Sequence, residues 1–344
     1  MDPGSVREAG RVPHGGTDDP DLLEFSANTN PRTPPDVEAV YADALDAARS
    51  YPNDDYPEFR AAAADFVDCD SADVVPTPGG LAALRLAFAV RVSPGDSVLV
   101  PCPSFGEYAR EVRLQGGEPE FVAHDDLLDA DPAEHAAAVV CNPNNPTGDA
   151  YDPDAIAAFA VRCREADCLL VADEAFLGFT DRPSLAGAEG VAVARSLTKL
   201  FGLPGLRAGF AVATGDLGDD LATARRAWSL GTPAARVGAH CLRQSEFVAE
   251  TRERVREERA RLVDALSDEF EVYAPDGPPL SSAAAPFVLL DTGERDPGVV
   301  VRAARDRGVA IRDATTFRGL DSHVRVAVRG PEENDRLLEV LADV

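Results

Sequence analysis

The sequence predicts an α/β protein: a mostly parallel central sheet flanked by helices, joined to a smaller α+β domain. Two observations carry this. From about Val74 to Ala213, short apolar runs alternate with stretches of helical period. From Glu271 onward, strand-like and helical stretches follow one another in a different, mixed order. A chain of 344 residues with 45% hydrophobic content can bury a large core and is not generally disordered.

The elements can be justified in chain order. Strand-like runs stand at 96–101 (DSVLVP), 118–123 (EPEFVA), 136–142 (AAAVVCN), 168–175 (CLLVADEA), 190–196 (GVAVARS) and 206–213 (LRAGFAVA). Most end in Gly- or Pro-containing loops, and helix-period stretches such as 152–166 separate several of them. Such crossovers are what parallel pairing requires, and they place ligand-binding loops at the carboxyl ends of the strands. A long helical region covers roughly 219–270. Within it, 250–266 reads as a solvated amphipathic helix, with pairs such as Glu250 and Arg254 spaced i,i+4. Strands are expected at 271–274, 286–291, 309–313 and 323–329, and helices at 297–307 and 331–342. No internal repeat or low-complexity segment interrupts this order.

Composition narrows the function. Sixty acidic against thirty-three basic residues give a net charge of −27, spread along the whole chain. Such a surface repels phosphodiester backbones and anionic lipid, so neither nucleic acid nor membrane is expected as a partner. It reads as a solubility adaptation, consistent with high salt. The first 20 residues hold no apolar core, and no apolar run approaches the length of a membrane span. The six cysteines are scattered without a C-x-x-C pair, and each reads as a small buried apolar residue. Together these features predict a cytoplasmic protein with reduced thiols and no metal centre.

The basic residues are very unevenly divided: every one is arginine except Lys199. Arginine replaces lysine as a charge, but its guanidinium stays protonated and is a poor nucleophile. A lone surviving lysine is therefore a candidate nucleophilic amine. Around it stand NPNNPTG (142–148), ADEAF (172–176), SLTK (196–199) and PGLR (204–207), the first three at or just after expected strands. Asp173 ends an apolar strand, where a buried carboxylate calls for a cation; a helix cap or an ion pair would also satisfy it. Arg207 suits a phosphate clamp or a plain surface position. Thr77-Pro78-Gly79-Gly80 opens the expected helix 81–90, an anion site or an ordinary turn. Phe105, after strand 96–101, can stack on a planar ring or pack in the core.

Taken together, these motifs resemble the pyridoxal-phosphate-dependent aminotransferase superfamily of fold type I, over essentially the whole chain. The resemblance implies pyridoxal 5'-phosphate as cofactor, bound covalently through Lys199, with Asp173 facing the pyridine nitrogen and Asn145 beside the ring hydroxyl. Phe105 would stack on the ring. Gly79, Gly80, Ser196, Thr198 and Arg207 would hold the phosphate. Tyr51 would reach the phosphate of a neighbouring subunit, which makes a homodimer with shared sites. Arg325 would bind substrate carboxylate. An N-terminal segment (1–40), a large cofactor-binding domain (41–235) and a small domain (236–344) are the implied divisions.

The position usually occupied by tyrosine in the D-E-A-Y segment is Phe176, which donates no hydrogen bond to the ring oxygen. The loop 77–84 also lacks the polar residues usual after its glycine. Within the superfamily, His14-Gly15-Gly16, the segment 25–31 with Asn28, and Arg329 resemble the threonine-phosphate decarboxylase of cobalamin biosynthesis. Without the resemblance, His14 reads as a tail residue and Arg329 as a surface one. The expectation is decarboxylation of L-threonine O-3-phosphate to (R)-1-amino-2-propanol O-2-phosphate, with His14, Arg325 and Arg329 as candidates for the phosphate and Gly15, Asn28 and Asn145 lining the substrate. The alternative is a histidinol-phosphate aminotransferase using 2-oxoglutarate. Either acts on a small phosphorylated substrate. A non-catalytic relative is disfavoured because Lys199 is retained.

Overall fold

The computed structural model describes residues 1–273, 285–342 and 344. Among the described residues, thirteen strands form three sheets. The first, β1 (Leu23–Glu24), belongs to a two-stranded sheet at the N-terminal segment. The next seven build the central sheet: β2 (Val74–Thr77), β3 (Ser97–Cys102), β4 (Glu118–Ala123), β5 (Ala137–Cys141), β6 (Leu169–Asp173), β7 (Val191–Ser196) and β8 (Gly209–Val212). Their order is β2-β8-β7-β6-β5-β3-β4. All neighbours pair in parallel except β8, which is antiparallel to both β2 and β7. The sheet is thus mixed, and β8 is the exception because no long helical crossover lies between it and β7.

Strands β5 and β6 are buried along their whole length, which explains why they read as continuous apolar runs and not as alternating ones. The edge strand β4 carries exposed Glu118 and Glu120, charges that discourage pairing with another chain. On one face Val139, Val171 and Ala192 meet the helix Gly80–Arg91 through Ala83, Leu84, Ala87 and Phe88. On the other face Val140, Leu170, Ala172 and Val193 join a core that continues into the C-terminal sheet through Phe287, Val288, Val324 and Val326.

The helical region expected at 219–270 is three helices: Gly215–Ala224, Thr232–Leu242 and Ser245–Leu266. The first break falls where Gly231 caps the second helix and proline enters its first turn. In the third helix Val248, Thr251, Val255, Glu258, Leu262 and Leu266 form the buried stripe, and most of the remaining positions are charged.

The expected strand 309–313 is divided at Ile311. Its first half, β11 (Val309–Ala310), pairs in parallel with β1. Its second half, β12 (Arg312–Asp313), enters a four-stranded antiparallel sheet ordered β12-β13-β10-β9, with β9 (Glu271–Val272), β10 (Phe287–Asp291) and β13 (His323–Ala327). Ala274 of the expected strand 271–274 lies outside the described residues. The β1–β11 pair, with Phe25 N–H donating to Ala310 O at 2.8 Å and Ala327 N–H to Phe25 O at 2.9 Å, ties the N-terminal segment to the C-terminal sheet. All six cysteines are free thiols. Among the described residues no helix is long and apolar enough to cross a membrane.

Candidate active site

At the carboxyl ends of β5, β6 and β7 lies a cavity of about 390 Å³. Strand β6 delivers Asp173 to its floor as the strand leaves the sheet. The carboxylate is buried, and its Oδ1 accepts the Ala175 N–H at 3.0 Å while its Oδ2 accepts the Tyr108 hydroxyl at 2.6 Å. Burial raises the Asp173 pKa, and the Tyr108 hydrogen bond acts against that rise. A cation seated against Asp173 would restore its ionised form.

Strand β7 ends at Ser196, whose side chain accepts the Thr198 N–H at 3.3 Å and starts the single turn Leu197–Leu200. That turn points Lys199 into the cavity. Burial, then Arg325 and Arg207, lower the Lys199 pKa from 10.5 to about 8, with Asp173 opposing. Near neutrality a usable fraction of the amine is therefore unprotonated, which a nucleophile requires.

Gly80 opens the twelve-residue helix Gly80–Arg91, whose first N–H groups have no intrahelical acceptor. A Cβ at Gly80 would sit 3.2 Å from Ser196 Cβ, so the helix start packs directly on the Ser196 turn. Gly79 stands just behind the cavity wall, in contact with Arg207. Arg207 turns in with φ +53°, its Nη1 donating to Pro204 O at 3.1 Å. Helix start, Ser196, Thr198 and Arg207 thus form one anion cradle.

Opposite the cradle, Arg325 is buried on β13. Its Nη2 donates to Ser26 O at 3.0 Å, its Nη1 donates to Asn145 Oδ1, and Phe287 and Phe317 flank it at 5.3 and 5.5 Å. Arg312 is its cross-strand partner in register and donates to Pro13 O and Thr316 Oγ1, both at 2.8 Å. Burial, followed by repulsion from Arg312, lowers the Arg325 pKa. Among the described residues neither guanidinium forms an ion pair with a carboxylate, and Arg325 Nε and Asn28 Oδ1 are buried without partners. Two buried cations without an anion describe a site for one.

The N-terminal segment closes the side of the cavity. Gly15 lies so close to Ser26 O that a Cβ would come within 2.2 Å. His14 is held at 2.9 Å by Glu107 Oε1 and leans on Phe105, ring centroids 5.7 Å apart.

The family model described as "Aminotransferase class I and II" matches residues 20–341. The chain belongs to that family. Histidinol-phosphate aminotransferase 1 of Archaeoglobus fulgidus is 31% identical over 94% of this chain and 99% of its own length. The histidinol-phosphate aminotransferase of Haloarcula marismortui is 31% identical over 96% of this chain and 91% of its own. Among solved structures, the histidinol-phosphate aminotransferase of Clostridium acetobutylicum superposes with a TM-score of 0.83 at 22% identity, covering 94% of this chain and 98% of that one. The Sinorhizobium meliloti enzyme of the same name, solved in complex with pyridoxal-5'-phosphate, gives 0.81 at 21%, covering 99% and 93%. The L-threonine-O-3-phosphate decarboxylase of Porphyromonas gingivalis gives 0.81 at 24%, covering 93% and 98%.

These relatives correct the expectation of a threonine-phosphate decarboxylase. The Archaeoglobus fulgidus and Haloarcula marismortui proteins, similar in sequence across nearly the full chain, are histidinol-phosphate aminotransferases, whereas the decarboxylase, at 24% identity, shares the fold. Members of this family use pyridoxal 5'-phosphate, and it is the cofactor of this chain. The residues fit it: a lysine amine, a buried carboxylate awaiting a cation, and an anion cradle converge on one cavity.

Of the residues singled out in the sequence, His14, Gly15, Asn28, Gly80, Phe105, Asn145, Asp173, Ser196, Thr198, Lys199, Arg207 and Arg325 line the cavity. Arg329 does not, which corrects its assignment to substrate. Strand β13 ends at Ala327, and the Arg329 guanidinium is taken by Glu333 Oε1 at 2.9 and 2.6 Å from the following helix. Tyr51 is 80% exposed and packs at a tilt against Trp228, ring centroids 4.6 Å apart, away from its own chain's cavity. Tyr108 and Arg312 were missed. The signal for Tyr108 was its spacing of three from Phe105; for Arg312, it was a charge inside the apolar run 309–313.

Proposed function

We propose that this chain is an aminotransferase for a phosphorylated amino compound, histidinol phosphate, with 2-oxoglutarate as amino acceptor. The observation that carries this reading is the pair of buried, uncompensated guanidinium groups of Arg312 and Arg325 across the cavity from Lys199. A phosphate dianion on the donor and the two carboxylates of the acceptor meet the same charge requirement. The names of the relatives agree with this choice.

The bound cofactor supplies an electron sink for the bond broken at the amine-bearing carbon. The protein supplies the rest. Asp173 would hold the ring nitrogen charged, and Phe105 would cover the ring. Asn145 would present its amide N–H groups to the cofactor, because its Oδ1 accepts from Arg325. The helix start at Gly79 and Gly80, with Ser196, Thr198 and Arg207, would hold the phosphate end. Lys199, whose burial favours the neutral amine, would take the proton from the substrate carbon and hold it at Nζ for return. Anchoring the donor's phosphate at Arg312 and Arg325 turns that C–H bond toward Lys199. His14 and Asn28 complete the substrate wall.

The same reading makes the protein a homodimer with shared sites. Its support is the placement of Tyr51 at the surface beside Trp228, with Tyr41 and Leu45 exposed on the preceding helix Val37–Ala47. The partner's Tyr51 would then reach the phosphate cradle.

The test is an assay of purified protein with cofactor, histidinol phosphate and 2-oxoglutarate. Glutamate should form, and its formation should fall when Arg312→Gln is introduced. Glutamate from an unphosphorylated donor but none from histidinol phosphate would overturn the substrate and leave the reaction class standing.

A further inference from the structure

Tyr108 is fully buried, and its hydroxyl donates to Asp173 Oδ2 at 2.6 Å with the Cys141 thiol as its other polar neighbour. It sits in the first turn of the helix Glu107–Leu114, three residues after Phe105, and its ring meets the Phe105 ring edge-on at 5.6 Å and 84°. One side chain therefore touches both the residue that would cover the cofactor ring and the carboxylate that would meet the ring nitrogen. Phe176, at the sequence position where a hydroxyl donor is usual, also lines the cavity and packs on Phe287, at 5.1 Å.

From this geometry we infer that Tyr108 is a positioning residue for the cofactor, holding Asp173 ionised and aligned so that the ring nitrogen stays protonated, and that in this chain the tuning hydroxyl acts at the nitrogen edge of the ring. Asp173 has four sites for hydrogen-bond donors on its two oxygens. Ala175 N–H and the Tyr108 hydroxyl take two, which fixes the carboxylate plane and leaves a lone pair for the ring N–H. The titratable groups facing Asp173 are Tyr108 on its helix, Cys141 beside it in register on β5, Glu174 next in the chain and Lys199 on the turn after β7. Of these, Tyr108 alone donates a hydrogen bond to it; a buried carboxylate deprived of that donor holds its charge less readily.

The inference rests on the cofactor and not on the substrate, so its test uses the cofactor alone. Apo-protein is titrated with pyridoxal 5'-phosphate, and the visible band of the bound cofactor is followed against pH, for wild type, Tyr108→Phe, Asp173→Asn and the double variant. Tyr108→Phe should weaken binding about tenfold. It should also move the band's midpoint to higher pH, since a ring that withdraws fewer electrons lets the Lys199 nitrogen keep its proton longer. In the Asp173→Asn background the same change should add nothing. A fluorinated tyrosine placed at 108, a stronger donor of nearly the same shape, should move the midpoint the other way and stands in if Tyr108→Phe does not fold. Unchanged affinity and midpoint overturn the inference. An effect of equal size in the Asp173→Asn background also overturns it, because Tyr108 would then act through Phe105. A wild-type protein that takes up no cofactor overturns both the cofactor assignment and the inference.

Discussion

The Arg207 guanidinium fills the space a side chain at Gly79 would need: a Cβ placed on Gly79 would lie 2.6 Å from the Arg207 Nη2 atom. Gly79 also has φ +97° and ψ 164°, a region that a side chain makes costly. The Arg207 guanidinium is the flexible partner, so it would yield. Gly79→Ala should then keep the fold, at a cost of about 1–3 kcal/mol for the backbone strain. Cofactor affinity should fall about tenfold or more as Arg207 leaves the cradle. Thermal melts and cofactor titration separate the two effects. A melt shift with unchanged affinity would remove Arg207 from the phosphate site.

Arg312, Arg325 and Arg329 make opposite forecasts. Arg312→Gln and Arg325→Gln should each raise the KM of the phosphorylated donor by about 10–100-fold, the loss expected for a charge-assisted hydrogen bond. Arg329→Gln should leave that KM alone and lower stability by about 1 kcal/mol or less, since its pair with Glu333 is partly solvated. Steady-state kinetics on the three variants, with melts alongside, decide the matter. A KM effect at Arg329 alone would reverse the assignment drawn from the structure.

The central sheet was legible because its inner strands are buried on both faces and so carry unbroken apolar runs, as in Ala137–Cys141 and Leu169–Asp173. β2 was not, being four residues long with Pro76 inside it. The division of 309–313 at Ile311 was equally hidden, because two short halves pairing with different sheets leave one continuous apolar signal. In the site, Lys199 stood out through the absence of any other lysine, and Asp173 through its place at a strand end. Arg312 was masked by 31 other arginines. Arg329 was over-read because its partner, Glu333, follows four residues later on a helix and ordinary i,i+4 pairing absorbs it.

The lowered pKa of Lys199 makes apo-protein stability depend on pH in a defined direction. Unfolded, the amine titrates near 10.5; folded, near 8. Between those values the unfolded chain binds more protons, so stability rises with pH across that window. The cost of burying the charged amine is fully present below about pH 8 and gone above about 10.5. Lys199→Met should therefore exceed wild type in stability at pH 7, by on the order of 3 kcal/mol, with the difference closing by pH 10.5. Denaturant unfolding of both apo-proteins at several pH values measures this. A pH-independent difference would mean that the amine is not electrostatically strained. Capture of cofactor by wild-type protein should accelerate through pH 8, as the neutral amine forms.

The net charge of −27 bears on stability through the surface. Buried ion pairs such as Arg195 with Glu174 and the pair of half-buried Arg85 with fully buried Glu111 are shielded from salt, and their contribution hardly changes with ionic strength. The surplus acids are mostly at the surface, where repulsion acts over a Debye length of about 10 Å at 0.1 M salt but only about 3 Å at 1 M. Screening should therefore stabilise the folded chain, most steeply below a few tenths molar, where the Debye length falls fastest. Melting temperature should climb from low to molar potassium chloride, with most of the gain at the low end. Raising the salt further should add little unless ions are taken up specifically. A melting temperature that is flat across that range would show that the acidic surface does not set this protein's stability, and a continued steep rise beyond 1 M would point to bound ions in place of screening.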